Sequence, residues 1–121
     1  MVFKGGAKYP TAKVISETLD AMGAEFNAST SKEFTNFYIK VRAGLLEKAF
    51  DVLSDMTLAP LLKDEDINLE RGVIVSEMNM YEDTPMYKVS DVFDQVVFDG
   101  NTLGVDIIGT KETIASVDNK H

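Results

Sequence analysis

The chain has 121 residues, of which 45% are hydrophobic and 26% are charged, enough apolar material for one core. Twenty acidic residues against twelve basic ones give a formal net charge of −8, which disfavours nucleic acid and other partners held through phosphate groups. The absence of cysteine excludes disulfides and cysteine-based zinc sites, and no apolar run has the length of a membrane span or of a secretory signal.

The first predicted element is a helix between Thr11, which can cap its start, and Gly23, a common helix stop. Its apolar residues recur at helical spacing, at Ala12, Ile15, Leu19 and Met22. The "KGG" at residues 4–6 lacks the preceding strand and the full spacing of a phosphate-binding loop, so it is interpreted as a turn.

The next segment predicts a β-hairpin. In residues 35–42 every second side chain is apolar or β-branched, which is the period of a strand with one buried face: Thr35, Phe37, Ile39 and Val41. The polar stretch at residues 27–33 is predicted to end a partner strand and to form the turn. Because a lone hairpin is marginal in water, helices or further strands are expected to cover it.

Helices are predicted for most of the remaining chain. Residues 44–60 form the second, with an apolar stripe at Leu46, Ala49, Phe50, Leu53 and Met56. Residues 63–85 form the third and longest, with an acidic first turn and Pro85 as its end. Shorter helices at residues 86–98 and 111–117 flank a loop. The sequence therefore predicts an α+β fold in which an antiparallel hairpin packs against several helices.

The middle of the third predicted helix holds a carboxylate among apolar residues. The neighbours of Glu77 one turn away are Val73, Ile74, Met80 and Tyr81. Glu70 lies seven residues earlier, within about 20° of the same direction on an α-helix. The pair is either a metal ligand with a supporting carboxylate or part of a solvated acidic face. Spacing alone favours the solvated face, since such pairs are common there.

Other candidate residues for catalysis are few. His121 is the single histidine and the last residue, a position where a ligand role is not expected. No nucleophile activated by a histidine base is therefore expected within the chain.

Five segments, in this order, closely resemble the amino-terminal domain of the pitrilysin (insulinase) family of zinc metallopeptidases, which includes mitochondrial processing peptidases and many bacterial zinc proteases. They are "MVFKGGAKYPTAK", "LDAMGAEFNASTSKEFTNFYIKV", "AFDVLSDMTLAPLL", "ERGVIVSEMNMYEDTP" and "LGVDIIGTKETIASV". The similarity runs from about Phe3 to Val117. It implies that residues 1–121 are a partial amino-terminal αβ domain of a zinc metalloendopeptidase, a hydrolase, without the zinc-motif helix and the later strands.

The resemblance also implies roles for the two glutamates. In this family an H-x-x-E-H motif supplies two histidine ligands and a glutamate base, and a second helix supplies a glutamate as the third zinc ligand. Alignment places the motif immediately before Met1, the third ligand at Glu77 and a supporting carboxylate at Glu70. Zinc is thus expected in the intact parent, meaning the full-length protein that contains these residues. The 121 residues alone, without the motif, are expected to bind no zinc and to be inactive.

The same resemblance predicts that the strand containing Phe26, Asn27, Ala28 and Ser29 pairs with the backbone of an extended peptide or unfolded protein substrate. From the residues alone, Asn27 is instead a turn-capping side chain at the end of a strand. Two alternatives remain for the function of the chain. One is a non-catalytic substrate-binding or partner subunit of the same family, and the other is an acidic interaction domain unrelated to proteolysis.

Expected partners follow from the resemblance and from the uncovered surfaces. The parent is expected to pair with a second domain or subunit of the family. The 121 residues are expected to self-associate through an exposed sheet edge and apolar face. A cytoplasmic location is expected because no signal peptide is visible, and neither nucleic acid nor membrane is expected as a partner.

Overall fold

The structure is a computed structural model that describes residues 1–120. The chain divides into two compact units, one spanning Met1–Asp66 and a second that begins at Ile67. Helices dominate both units, and the described residues contain one two-stranded antiparallel sheet. The predicted α+β class is confirmed.

The first unit contains the predicted first helix, the hairpin and the predicted second helix. Their bounds are α1 (Ala12–Ala21), β1 (Glu25–Thr30), β2 (Thr35–Lys40) and α2 (Leu46–Leu58), with 3-10 turns at Val2–Lys4 and Ala43–Leu45. The side chain of Thr11 accepts a hydrogen bond from the Val14 N–H at 3.2 Å and so caps α1 as predicted. Gly23 follows α1 with a φ of 61°, in the left-handed region that favours glycine.

The side chains of β2 alternate between half-buried and exposed positions, as the sequence predicts for most of the strand. Ala28 lies opposite Phe37, and Phe26 lies opposite Ile39. Phe37 and Ile39 are half-buried, whereas Tyr38 between them is exposed. Thr35 is exposed rather than buried, because it and its cross-strand partner Thr30 directly flank the turn of the hairpin.

The core of the first unit lies between α1 and α2. Its buried members are Ile15, Leu19, Met22, Val52 and Met56. The predicted buried stripe of α2 is partly wrong, because Leu46 and Phe50 are 64% and 68% exposed. The helix instead turns toward the interior a face that carries the polar Asp55 beside Met56, and Asp55 is 8% exposed.

Asp55 is buried because its carboxylate binds the backbone of the loop before α1. It accepts hydrogen bonds from the Lys8 N–H at 3.0 Å and from the Tyr9 N–H at 3.1 Å. Gly6 lies so close to α2 that a Cβ atom there would be 2.9 Å from the Asp55 carbonyl oxygen. The Gly5 carbonyl in turn accepts a bond from the Leu61 N–H at 3.0 Å. The backbone of this loop is therefore bound to the Asp55 side chain of α2 and to the segment that follows α2.

The second unit is helical. Its elements are α3 (Asp64–Glu82, which begins at the end of the first unit), α4 (Pro85–Val97), a 3-10 turn at Thr102–Gly104 and α5 (Lys111–Ser116). Pro85 does not end α3 directly, since that helix stops at Glu82 and Pro85 starts α4 at a position where proline needs no N–H. Arg71 on α3 donates from Nε to the Ile114 carbonyl of α5 at 3.1 Å.

Burial differs between the units. Among the described residues of the second unit Met78 alone is buried, and α4 and α5 have no buried residue. Within residues 1–120, no helix combines the length and the apolar character that crossing a membrane requires.

Candidate functional site

The two predicted site glutamates lie on one continuous helix. Because α3 is unbroken from Asp64 to Glu82, Glu70 and Glu77 are separated by two turns, about 10 Å along the axis, and point in nearly the same direction. Glu70 is half-buried and Glu77 is exposed. The helix that the sequence predicted for this pair is confirmed, and the roles assigned to the two carboxylates stay predictions.

Glu77 is not a charge buried among apolar side chains. Its neighbours Val73 and Met80 are themselves 60% and 52% exposed, so the carboxylate keeps access to water. The Tyr81 hydroxyl donates a hydrogen bond to Glu77 Oε1 at 3.1 Å. This bond and the nearby negative charge raise the pKa of Tyr81, because both oppose formation of the phenolate. The structure therefore shows Glu77 as a solvent-exposed carboxylate that accepts one hydrogen bond from Tyr81.

The described residues fit one ligand of a metal site and not a complete one. Carboxylate oxygens are zinc ligands, and Glu77 Oε2 has no hydrogen-bond partner within residues 1–120. No three Asp, Glu, His or Cys side chains converge in that part of the chain in a way that could hold a cation. His121, for which no ligand role is expected, lies outside the described residues.

The predicted substrate-pairing residues lie on β1, in the first unit. Phe26 is half-buried, packs against the core and has its ring centroid 5.6 Å from that of Phe3. Asn27 and Ser29 are exposed, and Ala28 is half-buried. The side chains at these positions thus alternate between the interior and solvent, which leaves the backbone of β1 as the feature able to pair with an extended chain.

The outer edge of β1 carries a backbone donor that the hairpin does not use. Ser29 directs its N–H toward β2, where it bonds to the Asn36 side chain at 3.1 Å. Successive N–H groups of a strand point to opposite edges, so the Ala28 N–H points away from β2. It donates to Oδ1 of Asn27 at 2.8 Å. The Asn27 side chain therefore accepts a hydrogen bond from a backbone N–H at the outer edge of β1. Because Asn27 lies in the middle of this strand, the expectation that it caps a turn at a strand end is wrong.

Reasoning from the sequence misses two contacts that the structure shows. The sequence pattern groups Tyr81 with the apolar neighbours of Glu77, although a spacing of four residues on a helix is itself a signal for the hydroxyl contact. Asp55 was not singled out at all. Its position next to Met56 on the buried side of a helix, where an unpaired charge is costly, was the available signal.

Comparisons with known proteins agree on one family. The sequence model described as insulinase (peptidase family M16) matches residues 1–111. A protein of Streptomyces coelicolor, described as an uncharacterised zinc protease, is 41% identical over 114 residues, which are 94% of this chain and 25% of that protein. The beta subunit of the mitochondrial-processing peptidase of Dictyostelium discoideum is 35% identical over 117 residues, 97% of this chain and 25% of the subunit.

A solved structure has the same fold. A protease from Helicobacter pylori superposes with a TM-score of 0.89 over 98% of this chain and 29% of its own, at 22% sequence identity. At that identity the likeness concerns the fold alone. The chain spans about a quarter of the length of the curated relatives described above.

Proposed function

We propose that this chain, which belongs to the insulinase family (peptidase family M16), is part of a zinc-dependent endopeptidase and supplies Glu77 as a carboxylate ligand to the metal. The observation that carries the proposal is the exposed Glu77 carboxylate on α3, with one oxygen bonded to Tyr81 and the other open. Relatives from Streptomyces coelicolor and Bacillus subtilis are described as zinc proteases. A bound zinc ion would supply Lewis-acid activation of water for peptide hydrolysis.

Two glutamates of α3 would contribute to the metal site, Glu77 as a ligand and Glu70 through its charge. Glu77 places one negative charge at a solvent-exposed point of a long helix, where ligands from other segments have access to it. Glu70, on the same side two turns earlier, adds negative charge that favours a cation without itself binding it. The carboxylates lie in the middle and second half of the helix, away from the amino-terminal turn where the dipole favours anions.

The metal role is tested in a full-length protein that contains this chain. Glu77→Gln keeps the shape of the side chain and removes its charge, so bound zinc and peptide hydrolysis should both fall by at least tenfold. Glu65→Gln, an exposed glutamate in the first turn of the same helix, is the matched control and should change neither. Zinc content is measured by elemental analysis after dialysis. Stoichiometric zinc in Glu77→Gln would refute the assignment.

The 121 residues by themselves are proposed to be inactive. Catalytic zinc sites use three protein ligands, and Glu77 supplies one. No H-x-x-E-H motif occurs in the sequence given. Zinc binding at one ion per chain, together with peptide cleavage that a chelator abolishes, would contradict this part of the proposal.

Extended peptides are the proposed substrates, bound as an added strand at the outer edge of β1. The Ala28 N–H is the donor that a peptide carbonyl would take over from Asn27 Oδ1. Because this N–H points away from β2, proline there removes an edge donor and no bond of the hairpin. In the full-length protein Ala28→Pro should raise KM or abolish turnover while zinc content stays normal. Unchanged kinetics would count against strand pairing.

A partner role without catalysis is the second candidate. It is favoured by the similarity to a protein described as a subunit, the beta subunit of a processing peptidase. Loss of peptide hydrolysis in Glu77→Gln of the isolated full-length protein supports catalysis by this chain. A wild-type full-length protein that binds no zinc yet stimulates a separate peptidase supports the partner role.

Self-association is proposed for the 121 residues. Apolar side chains of α4 are extensively exposed, with Met86 at 79%, Val96 at 72% and Val89 at 66%. A second copy would cover this face, although the net charge of −8 opposes the approach of two copies at low salt. Light scattering should therefore show a mass that rises with chain concentration and more steeply at high salt. A monomer under all conditions would refute the proposal.

A further inference from the structure

The hydroxyl of Tyr81 holds one of the two carboxylate oxygens of Glu77. The two residues are four apart on α3, and the O–H donates to Oε1 at 3.1 Å. Residues at this spacing lie on the same face one turn apart, so the bond requires no distortion of the helix. The opposite oxygen, Oε2, is left without a hydrogen-bond partner in the described part of the chain.

The ring of Tyr81 is itself held by a second helix. Tyr87, in the first turn of α4, packs edge-on against it with ring centroids 5.1 Å apart and an interplanar angle of 78°. The turn between the helices is short and bonded, with the Thr84 hydroxyl donating to the Met80 carbonyl at 2.8 Å. Edge-to-face pairs of this kind favour one ring orientation. The position of the Tyr81 hydroxyl is therefore set by packing as well as by its bond to Glu77.

A carboxylate fixed at one oxygen is prepared to bind a cation through the other. An unrestrained glutamate samples several rotamers, and ordering it costs free energy each time a metal binds. A hydrogen bond to the non-ligating oxygen restricts the side chain before binding, which is how outer hydrogen-bond partners tune metal ligands.

We propose, on the basis of the ligand role proposed for Glu77, that Tyr81 is the positioning residue that orients this carboxylate for metal binding. The hydroxyl holds Oε1, which would leave the opposite oxygen to bind the metal. Tyr87 keeps the hydroxyl in place through its ring. This role depends on the O–H group of Tyr81 and not on its ring. A variant that loses the hydroxyl but keeps the ring therefore tests the positioning role without changing the packing against Tyr87.

The test uses the full-length protein with Tyr81→Phe, which keeps the ring against Tyr87 and removes the hydroxyl. Its zinc Kd, measured by competition with a chelator, should rise about tenfold or more. The visible absorption bands of the cobalt(II)-substituted protein should shift, and the thermal midpoint should stay the same. Tyr38→Phe is the matched control, because the Tyr38 hydroxyl donates to the Glu25 carboxylate at 3.3 Å on the hairpin. It should leave the Kd and the cobalt spectrum unchanged.

A double-mutant cycle separates the possible failures. With Glu77→Ala in place, Tyr81→Phe should produce no further change in zinc Kd, since the hydroxyl then has no carboxylate to orient. If Glu77→Ala leaves the Kd at the wild-type value, the ligand assignment fails and the positioning role fails with it. If Glu77→Ala weakens zinc binding but Tyr81→Phe changes neither the Kd nor the cobalt spectrum, the positioning role alone is refuted.

Discussion

Removing the Asp55 carboxylate should release the loop before α1 and destabilise the first unit. In Asp55→Ala the backbone N–H groups of Lys8 and Tyr9 both lose a charged acceptor at 3.0–3.1 Å. A hydrogen bond to a charged group is worth about 1.5 kcal/mol at the low end of its range, so the two bonds correspond to about 3 kcal/mol. With an m-value of about 2 kcal/mol/M, the urea midpoint of the chain should fall by about 1.5 M.

The assay combines a global and a local measurement on the purified chain. Urea unfolding followed by circular dichroism gives the midpoint, and amide hydrogen exchange reports on the N–H groups of Lys8 and Tyr9. Asp55→Asn keeps one carbonyl oxygen as an acceptor and should lose about half as much, ~1.5 kcal/mol. Asp20→Asn on the exposed side of α1 is the control. A midpoint for Asp55→Ala equal to that of the control, with both loop amides still protected, would refute the reasoning.

Three smaller changes test neighbouring parts of the structure. Gly6→Ala places a methyl group against the backbone of α2 and should lower the urea midpoint, whereas no shift would show that the loop can move away. Lys8 holds the pKa of Asp51 below its ordinary value through a direct hydrogen bond, so Lys8→Met should raise that pKa in an NMR titration. The pair stabilises the fold above the unfolded pKa of the aspartate, and this contribution is lost as pH falls below about 3.8 through the lower folded value. Thr110→Ala removes the capping box of α5, should cost about 1 kcal/mol and should expose the Thr113 amide to exchange; unchanged protection there would argue against the cap.

Local signals in the sequence were sufficient for the elements of the fold. The Thr11 cap and the Gly23 stop act within a few residues of their helix, so the bounds of α1 follow from chain chemistry alone. The alternation that predicted β2 is likewise a property of consecutive residues. The inward face of α2 was not predictable in this way, because the partners of Asp55 are 46 and 47 residues away in sequence. An acidic residue then occupies a position that periodicity would assign to an apolar one.

For the candidate site, the sequence likewise predicts the local geometry but not the roles of the residues. The shared face of Glu70 and Glu77 follows from the helical period, but spacing alone favoured a solvated pair over a metal ligand. The substrate-pairing role of β1 came from family resemblance and stays a prediction, as does the cytoplasmic location. The edge position of the Ala28 N–H required the register of the hairpin, which sequence periodicity does not specify.

The exposure of Glu77 decides between two ways of keeping a carboxylate among apolar neighbours. A buried glutamate would need a resident cation or a raised pKa to offset desolvation, and either would leave the side chain inaccessible to ligands from other segments. An exposed glutamate avoids that cost but is free to rotate, so restraining it before the metal binds raises its metal affinity. On α3 the Tyr81 hydroxyl is that restraint, and the ring of Tyr87 supports it from α4. A helix that presents one oriented, solvent-exposed carboxylate is suited to complete a metal site whose other ligands come from other segments.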